Sequence, residues 1–93
     1  MGTFHQDRHE LHGITVVVDT DGDEVFIGRC DDMDDERVIL LDADVHREGE
    51  GEPSKEAWIE KSSEYGVWAK HRRLVIPLER VTSVRRLGEV GGP

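Results

Sequence analysis

The sequence has little cysteine, few aromatic side chains and no long apolar run. Cys30 is the only cysteine, which excludes an intrachain disulfide and suits a reducing compartment. No apolar stretch approaches the roughly 20 residues that a helix needs to cross a bilayer. The polar segment HQDRHELH near the start lacks the apolar centre of a signal peptide. We therefore expect a soluble, cytoplasmic protein with no membrane partner.

Positive charge is also scarce, and it is unevenly placed. The chain carries 12 Lys and Arg against 21 Asp and Glu, which gives a net charge of −9. Residues 1–60 hold 18 acidic and 5 basic side chains, whereas residues 61–93 hold 3 acidic and 7 basic ones. The overall charge opposes non-specific binding to nucleic acid or to an anionic membrane. The basic final third indicates either a local anion-binding patch or simply a differently solvated stretch.

The apolar residues are concentrated in short, β-branched runs that are typical of strands. Two such runs, at 14–20 and 24–30, flank the Asp21-Gly22 step, and this step is the strongest short signal for a hairpin. An acidic turn over 31–36 and a third run over 37–46 follow. Residues 14–46 are therefore predicted to form a three-stranded meander.

The remaining segments predict two more strands and up to two helices. Thr3, Gln6 and Gly13 form capping patterns that predict an N-terminal helix over 4–12. Residues 47–66 form an insert in which Ser54 can cap a short helix over 54–65, and a strand around 57–59 is the competing interpretation. Residues 67–87 hold the last two strands, interrupted at Pro77 because proline removes a ladder donor. Residues 88–93 are a loose tail.

This order predicts a mainly β fold in a single domain spanning 1–93. Five short antiparallel strands bury one face best by curling into a small barrel. Closure removes exposed edges, or leaves one edge for a neighbouring subunit to pair with.

Catalytic and calcium-binding patterns are poorly matched. Counted from Asp19, glycine falls at the fourth position and Cys30 at the twelfth, whereas an EF-hand loop needs glycine sixth and glutamate twelfth. His46 and His71 have no serine or cysteine in a recognisable nucleophile setting. Acidic neighbours disfavour the Cys30 thiolate, and no glycine-rich phosphate loop is present. We therefore expect no enzymatic activity and no cofactor.

Three histidines are the one candidate metal set. His5, His9 and His12 lie on one side of the predicted N-terminal helix, at a spacing that could bring their rings near one zinc ion. No carboxylate is an obvious fourth ligand, and a capped surface helix would show the same residues. We therefore predict no metal site and keep the three histidines as the alternative.

The spacing of glycines and aliphatic residues carries a resemblance to a known family. A hydrophobic strand is followed by a turn glycine, an apolar position two before a second glycine, and an aspartate six residues after it. These positions are Val16, Val17, Val18, Gly22, Phe26, Gly28 and Asp34. Residues 75–84, VIPLERVTSV, have the length and rhythm of the second motif. Together they resemble the Sm and Sm-like family over most of 4–46 and 74–87.

The resemblance implies a five-stranded Sm-like barrel with a helix at its start. It also implies a ring-like homo-oligomer in which the fourth strand of one subunit pairs with the fifth of the next. At the positions where the family contacts RNA, this chain has Glu36, Val38 and the Pro77-Leu78 step. Stacking on a base needs a π face, and reading its edge needs an amide or a guanidinium. The chain therefore lacks, at these positions, the side chains that the implied RNA site needs.

Basic residues near the last two strands are the remaining candidates for a site. As one face they could meet phosphates or the acidic half of a neighbouring subunit, although solvated or locally paired arginines fit the same pattern. The set comprises Lys70, Arg72, Arg73, Arg80, Arg85 and Arg86. The sequence thus favours a non-enzymatic assembly module whose partner is itself. The alternative is an RNA-binding Sm-like protein that uses residues 70–86.

Overall fold

Five antiparallel strands and one helix build the fold in the computed structural model, which describes residues 12–49 and 53–89. This confirms the predicted mainly β class with a short helix before the fourth strand. In chain order the elements are β1 (Thr15–Thr20), β2 (Glu24–Met33), β3 (Arg37–Arg47), helix α1 (Lys55–Tyr65), β4 (His71–Pro77), a 3-10 turn (Leu78–Arg80), β5 (Val81–Arg86) and a second 3-10 turn (Leu87–Glu89).

The strands form one sheet in the order β4-β3-β2-β1-β5, so β4 and β5 lie at its two edges. In the described ranges no backbone pairing joins β4 to β5. Side chains from both edges nevertheless reach the same interior, because Ile76 of β4 and Val84 of β5 pack in one cluster with Val16 and Val18. The sheet is therefore strongly curved around that interior, as the barrel prediction requires.

Strand β1 is buried on both of its faces. Val16 and Val18 point into the curved interior, while Val17 points the other way, toward Val25 and Ile27 of β2. That outer layer is closed by Ile59, Leu87 and, at its margin, Val67. Because both faces of β1 are covered, its three consecutive valines have no exposed surface.

Helix α1 has a well-formed start and a glycine end. The Ser54 hydroxyl accepts a hydrogen bond from the Ala57 N–H at 3.1 Å, which satisfies one of the free donors of the first turn. Gly66, with φ of 96°, ends the helix, and its N–H donates to the Ser62 carbonyl. Because residues 55–65 are helical, the competing strand interpretation of residues 57–59 is wrong.

Strands β2 and β3 are bent where Gly28 passes over Ala43. The register between them shifts at Ile27/Arg29 and again at Cys30/Asp32, so the pairing contains bulges. Asp42 adopts a left-handed φ of 50° at the bend, a conformation that aspartate tolerates better than most residues. Its carboxylate lies 3.2 Å from the Arg29 guanidinium. Because of this bend, strand β2 contributes side chains to both the inner and the outer cluster of the core.

Several predicted boundaries differ from the structure. Strand β2 continues through Asp31 and Asp32 to Met33, because Met33 is buried in the inner cluster. The acidic turn is therefore limited to residues 34–36. Strand β4 begins at His71 and not at residue 67, since Val67 packs in the outer layer instead. Gly22 has no positive φ, so the β1–β2 hairpin is closed by a longer loop.

Two predictions fall mainly outside the described residues. Of the N-terminal helix predicted over 4–12, only His12 is described, and it lies in a turn. Of the tail predicted over 88–93, only residues 88 and 89 are described, within the second 3-10 turn. Within 12–49 and 53–89, no helix has both the length and the apolar character needed to cross a membrane.

Candidate functional site

Two turns meet at one end of the sheet, where the Sm resemblance implies RNA contacts. The Leu78 N–H of the β4–β5 turn donates to the Glu36 carbonyl of the β2–β3 turn at 2.9 Å. Within the β2–β3 turn, the Asp34 carboxylate accepts from the N–H groups of Glu36 and Arg37, at 2.8 and 2.9 Å. Such short-range bonds fix the conformation of the turn. The two turns therefore form one ordered surface.

The side chains at this surface do not suit a nucleobase. Val38 is 0% exposed and belongs to the inner core, so it offers no contact to a ligand. Leu78 packs against the same core, and Pro77 is exposed but has no π face. The Glu36 carboxylate is paired with its neighbour Arg37 at 3.0 Å. Among the described residues, this surface provides a carboxylate and aliphatic carbon, but no aromatic ring on which a base could stack.

Arg80 belongs to an ion-pair network at the opposite turn, between β1 and β2. Its guanidinium lies 3.3 Å from Glu24 and 3.8 Å from Asp21, and its carbonyl accepts from the Asp21 N–H at 3.0 Å. Glu24 is also hydrogen-bonded to Arg47. That bond, with the charges of both arginines, lowers the pKa of Glu24 against an opposing effect of burial. Arg80 is thus engaged in holding the hairpin.

The two arginines of β5 lie apart from each other. Arg85 lines a cleft with Glu56 and Glu60 of helix α1, and Arg86 lies 3.6 Å from Glu89. Consecutive residues of a strand point to opposite faces. The structure therefore does not bring the six predicted basic residues together into one face.

The β4 end holds the remaining three basic residues. Lys70 lies 4.0 Å from the Asp44 carboxylate. Arg72 and Arg73 are both exposed on the edge strand, and neither has an ion-pair partner within the described part of the chain. As neighbours in a strand, they project to opposite faces. A subunit or anion contact through the six basic residues stays a prediction.

The candidate metal set and the cysteine offer no further chemistry. His5 and His9 lie outside the described residues, and His12 is exposed in a turn. The described ranges contain no group of three or more His, Cys, Asp or Glu side chains that could hold a metal ion. Burial, together with the negative charges of Asp32 and Asp31, raises the pKa of the Cys30 thiol. Cys30 is therefore a packing residue of the inner core.

Sequence reasoning missed a cleft that collects the chain's Trp and Tyr side chains. Trp58, Tyr65 and Trp68 line it together with the nearly buried Asp44. The seven-residue spacing of Trp58 and Tyr65 on one helical face was a signal for part of it. Asp44 and Trp68 come from separate segments, which no local pattern connects.

Comparison with known proteins identifies the fold. No family model matches the sequence, and no curated protein matches it. Among solved structures, the Sm protein of Pyrococcus abyssii in complex with a uridine heptamer is similar, with 22% sequence identity and a TM-score of 0.58. The match covers 84% of this chain and 89% of that chain. The chain therefore has an Sm-like fold.

Proposed function

We propose that this chain is a non-enzymatic assembly module that forms a ring-like homo-oligomer. The sheet order carries the proposal, because β4 and β5 are the two edges and are not paired with each other in the described ranges. An unpaired edge presents a row of free backbone donors and acceptors. Each subunit offers one edge of each kind, and head-to-tail contact between unlike edges closes into a ring when the rotation permits.

The exposed surface of β4 supports contact between this edge and a strand of a neighbouring subunit. Val75 is 47% exposed, although it lies in the middle of a strand and opposite the half-buried Ile39. A strand of a neighbouring subunit added beside β4 would cover part of this apolar surface. The contact would therefore combine backbone hydrogen bonds with apolar burial.

Light scattering in dilute buffer tests the ring directly. We expect a mass several times that of the subunit for the unaltered chain. Val75→Lys should lower that mass, because a lysine on an edge strand opposes pairing with another strand. Tyr65→Lys is the matched control, since Tyr65 is also a large exposed side chain but lies at the end of helix α1. A monomer mass for the unaltered chain would exclude the ring.

RNA binding through the basic segment is the second candidate, and the uridine heptamer bound to the Pyrococcus protein favours it. In this chain Arg72 and Arg73 would supply the phosphate contacts in place of the two turns. A uridine-rich oligonucleotide should then be retained at low salt and released steeply as salt rises. Arg72→Glu with Arg73→Glu should abolish retention. The same double variant should instead change the oligomer mass if the edge contact is the function. No retention at low salt would end the RNA candidate.

A further inference from the structure

A cleft of about 390 Å³ lies between helix α1, the end of β3 and the segment that follows the helix. It is separate from the two turns and from the exposed edge of β4 discussed above. Its lining combines three aromatic side chains with one carboxylate, one lysine and one serine. The lining residues are Asp44, Trp58, Lys61, Ser62, Tyr65, Gly66 and Trp68.

Specific contacts position Trp58, one of the three aromatic side chains of the cleft. Trp58 stacks on His46, with ring centroids 5.1 Å apart and planes inclined by 16°. His46 is itself held by a 2.7 Å hydrogen bond between Nε2 and the Pro53 carbonyl. Tyr65 and Trp68 flank the turn at Gly66 and are 79% and 76% exposed. Aromatic surface left in water at this level, around a cleft, is typical of a site that a ligand covers.

Asp44 forms the polar end of the cleft. The residue is only 6% exposed, and its Oδ1 accepts the Val45 N–H at 2.9 Å. Its ion-pair partner within the described residues is Lys70, whose Nζ lies 4.0 Å from Oδ1. At that distance an ion pair is at its outer limit. The nearly buried Asp44 carboxylate in this aromatic cleft therefore has one backbone hydrogen bond and one long contact with a lysine.

We propose that this cleft binds the guanidinium of an arginine side chain in a partner protein. A guanidinium is planar, stacks on aromatic faces and donates paired hydrogen bonds to a carboxylate. Trp58, Tyr65 and Trp68 supply the faces, and Asp44 supplies the acceptor in place of its distant lysine. The net charge of −9 attracts a basic segment. Lys61 at the lining opposes it, so this lysine limits the affinity.

The two tryptophans make the cleft measurable, because Trp58 and Trp68 are the only tryptophans of the chain and both line it. The probe is a short peptide of alternating serine and arginine, and the control peptide has citrulline at each arginine. Citrulline keeps the planar shape and loses the charge. We expect a saturable change in tryptophan emission with the arginine peptide and none with citrulline. Equal responses to both peptides would overturn the proposal.

Variants locate the binding. Asp44→Asn should raise the dissociation constant of the arginine peptide about tenfold, because the charged acceptor is lost. The amide oxygen of the new asparagine can still accept the Val45 N–H. Asp42→Asn is the matched control, since it removes the same charge from the same strand, at a residue paired with Arg29 outside the cleft. Lys61→Glu should tighten binding. Equal weakening by Asp42→Asn and Asp44→Asn would show that only overall charge matters, and would reject the site.

A second probe separates partner classes. A uridine-rich oligonucleotide added to the same protein should leave the tryptophan emission unchanged. If the oligonucleotide alters the emission and the arginine peptide does not, the cleft stacks bases instead and the arginine assignment is wrong. Trp68→Ala provides a further check, because this exposed side chain can be removed without opening the core. This variant should bind the arginine peptide about threefold more weakly than the unaltered protein does.

Discussion

Gly28 lies where β2 passes close to Ala43 and Leu40 of β3. A Cβ atom at this position would be 2.7 Å from the Ala43 Cβ and 3.1 Å from the Leu40 Cβ. Both neighbours are buried in the inner core, so neither strand can move aside freely. We expect Gly28→Ala to lower the free energy of unfolding by about 1–3 kcal/mol, measured by urea denaturation.

Gly49→Ala is the control for this prediction. A Cβ at Gly49 would meet nothing within 4 Å, so the stability should stay level or rise by about 0.4–1 kcal/mol through the unfolded chain. Equal urea midpoints for the Gly28 variant and the unaltered protein would contradict the close approach of the two strands.

Glu24 gives the fold an acid-sensitive contact. Its hydrogen bond with Arg47 lowers its pKa in the folded state below the ordinary value of 4.5. Such a carboxylate stabilises the fold above its unfolded pKa, and the stabilisation is lost as pH falls through the lowered folded value. We expect Glu24→Gln to reduce the urea midpoint at neutral pH, and the difference from the unaltered protein to vanish in strong acid.

Glu36→Gln is the control for the acid prediction. Glu36 is exposed, and within the described residues its ion pair is with the adjacent Arg37. Exposed pairs of this kind contribute about 0–1 kcal/mol, so this variant should follow the unaltered protein at every pH. A difference for Glu24→Gln that persisted undiminished below the lowered pKa would show that the effect is not electrostatic.

At the residue scale, spacing along the sequence marked the position of Gly28 but did not predict the partners of the ion pairs. The spacing of Gly28 marks it in the sequence, and the register between β2 and β3 shifts beside it, at Ile27/Arg29. The partners of Arg80 were not predictable, because Asp21 and Glu24 are brought to it only when β5 pairs with β1. Spacing along the chain reports local backbone needs, whereas ion pairs depend on which strands become neighbours.

At the scale of elements, helix α1 depends on a single deeply buried side chain. Ile59 is the one large apolar residue of the helix that is fully enclosed, against Val17, Val25 and Ile27. A helix of this length is weak without packing. We expect Ile59→Ala to lower the free energy of unfolding by about 2–4 kcal/mol. Helix α1 should then unfold more readily than the inner core does.

Amide exchange followed by NMR measures that release. The amides of helix α1 should lose more protection than those of Val38 and Leu40, which belong to the inner cluster. Glu60→Ala is the control, because Glu60 is the adjacent exposed residue of the same helix. Uniform loss of protection across the sheet and the helix would show that the two layers unfold as one unit.

The strands were predictable as elements because their β-branched runs and turn residues agree. The helix was only one of two interpretations, since residues 54–65 contain few apolar side chains to set a period. The double burial of β1 was not expected, because nothing within VVV shows that a helix covers its outer face. Whether a strand is covered on one face or two is decided by a distant segment.

At the scale of the whole molecule, the surface charge and the open edges act in opposite directions. Subunits that each carry a net charge of −9 repel one another, while β4 and β5, the two edges of the sheet in the described ranges, favour contact. The Sm-like fold was predictable from the order of strands. The separation of the six basic residues was not predictable, because it depends on how the sheet curves.

The direction of the salt effect therefore distinguishes assembly from RNA binding. Added sodium chloride screens the repulsion between acidic subunits, so the mean mass from light scattering should rise with salt if the edges assemble. Binding to RNA should weaken with salt, because phosphate contacts release counterions. Arg72→Glu with Arg73→Glu, which makes each subunit more acidic, should shift assembly to higher salt. A mass that falls steadily as salt rises would mean that attraction between charges, and not edge pairing, holds the subunits together.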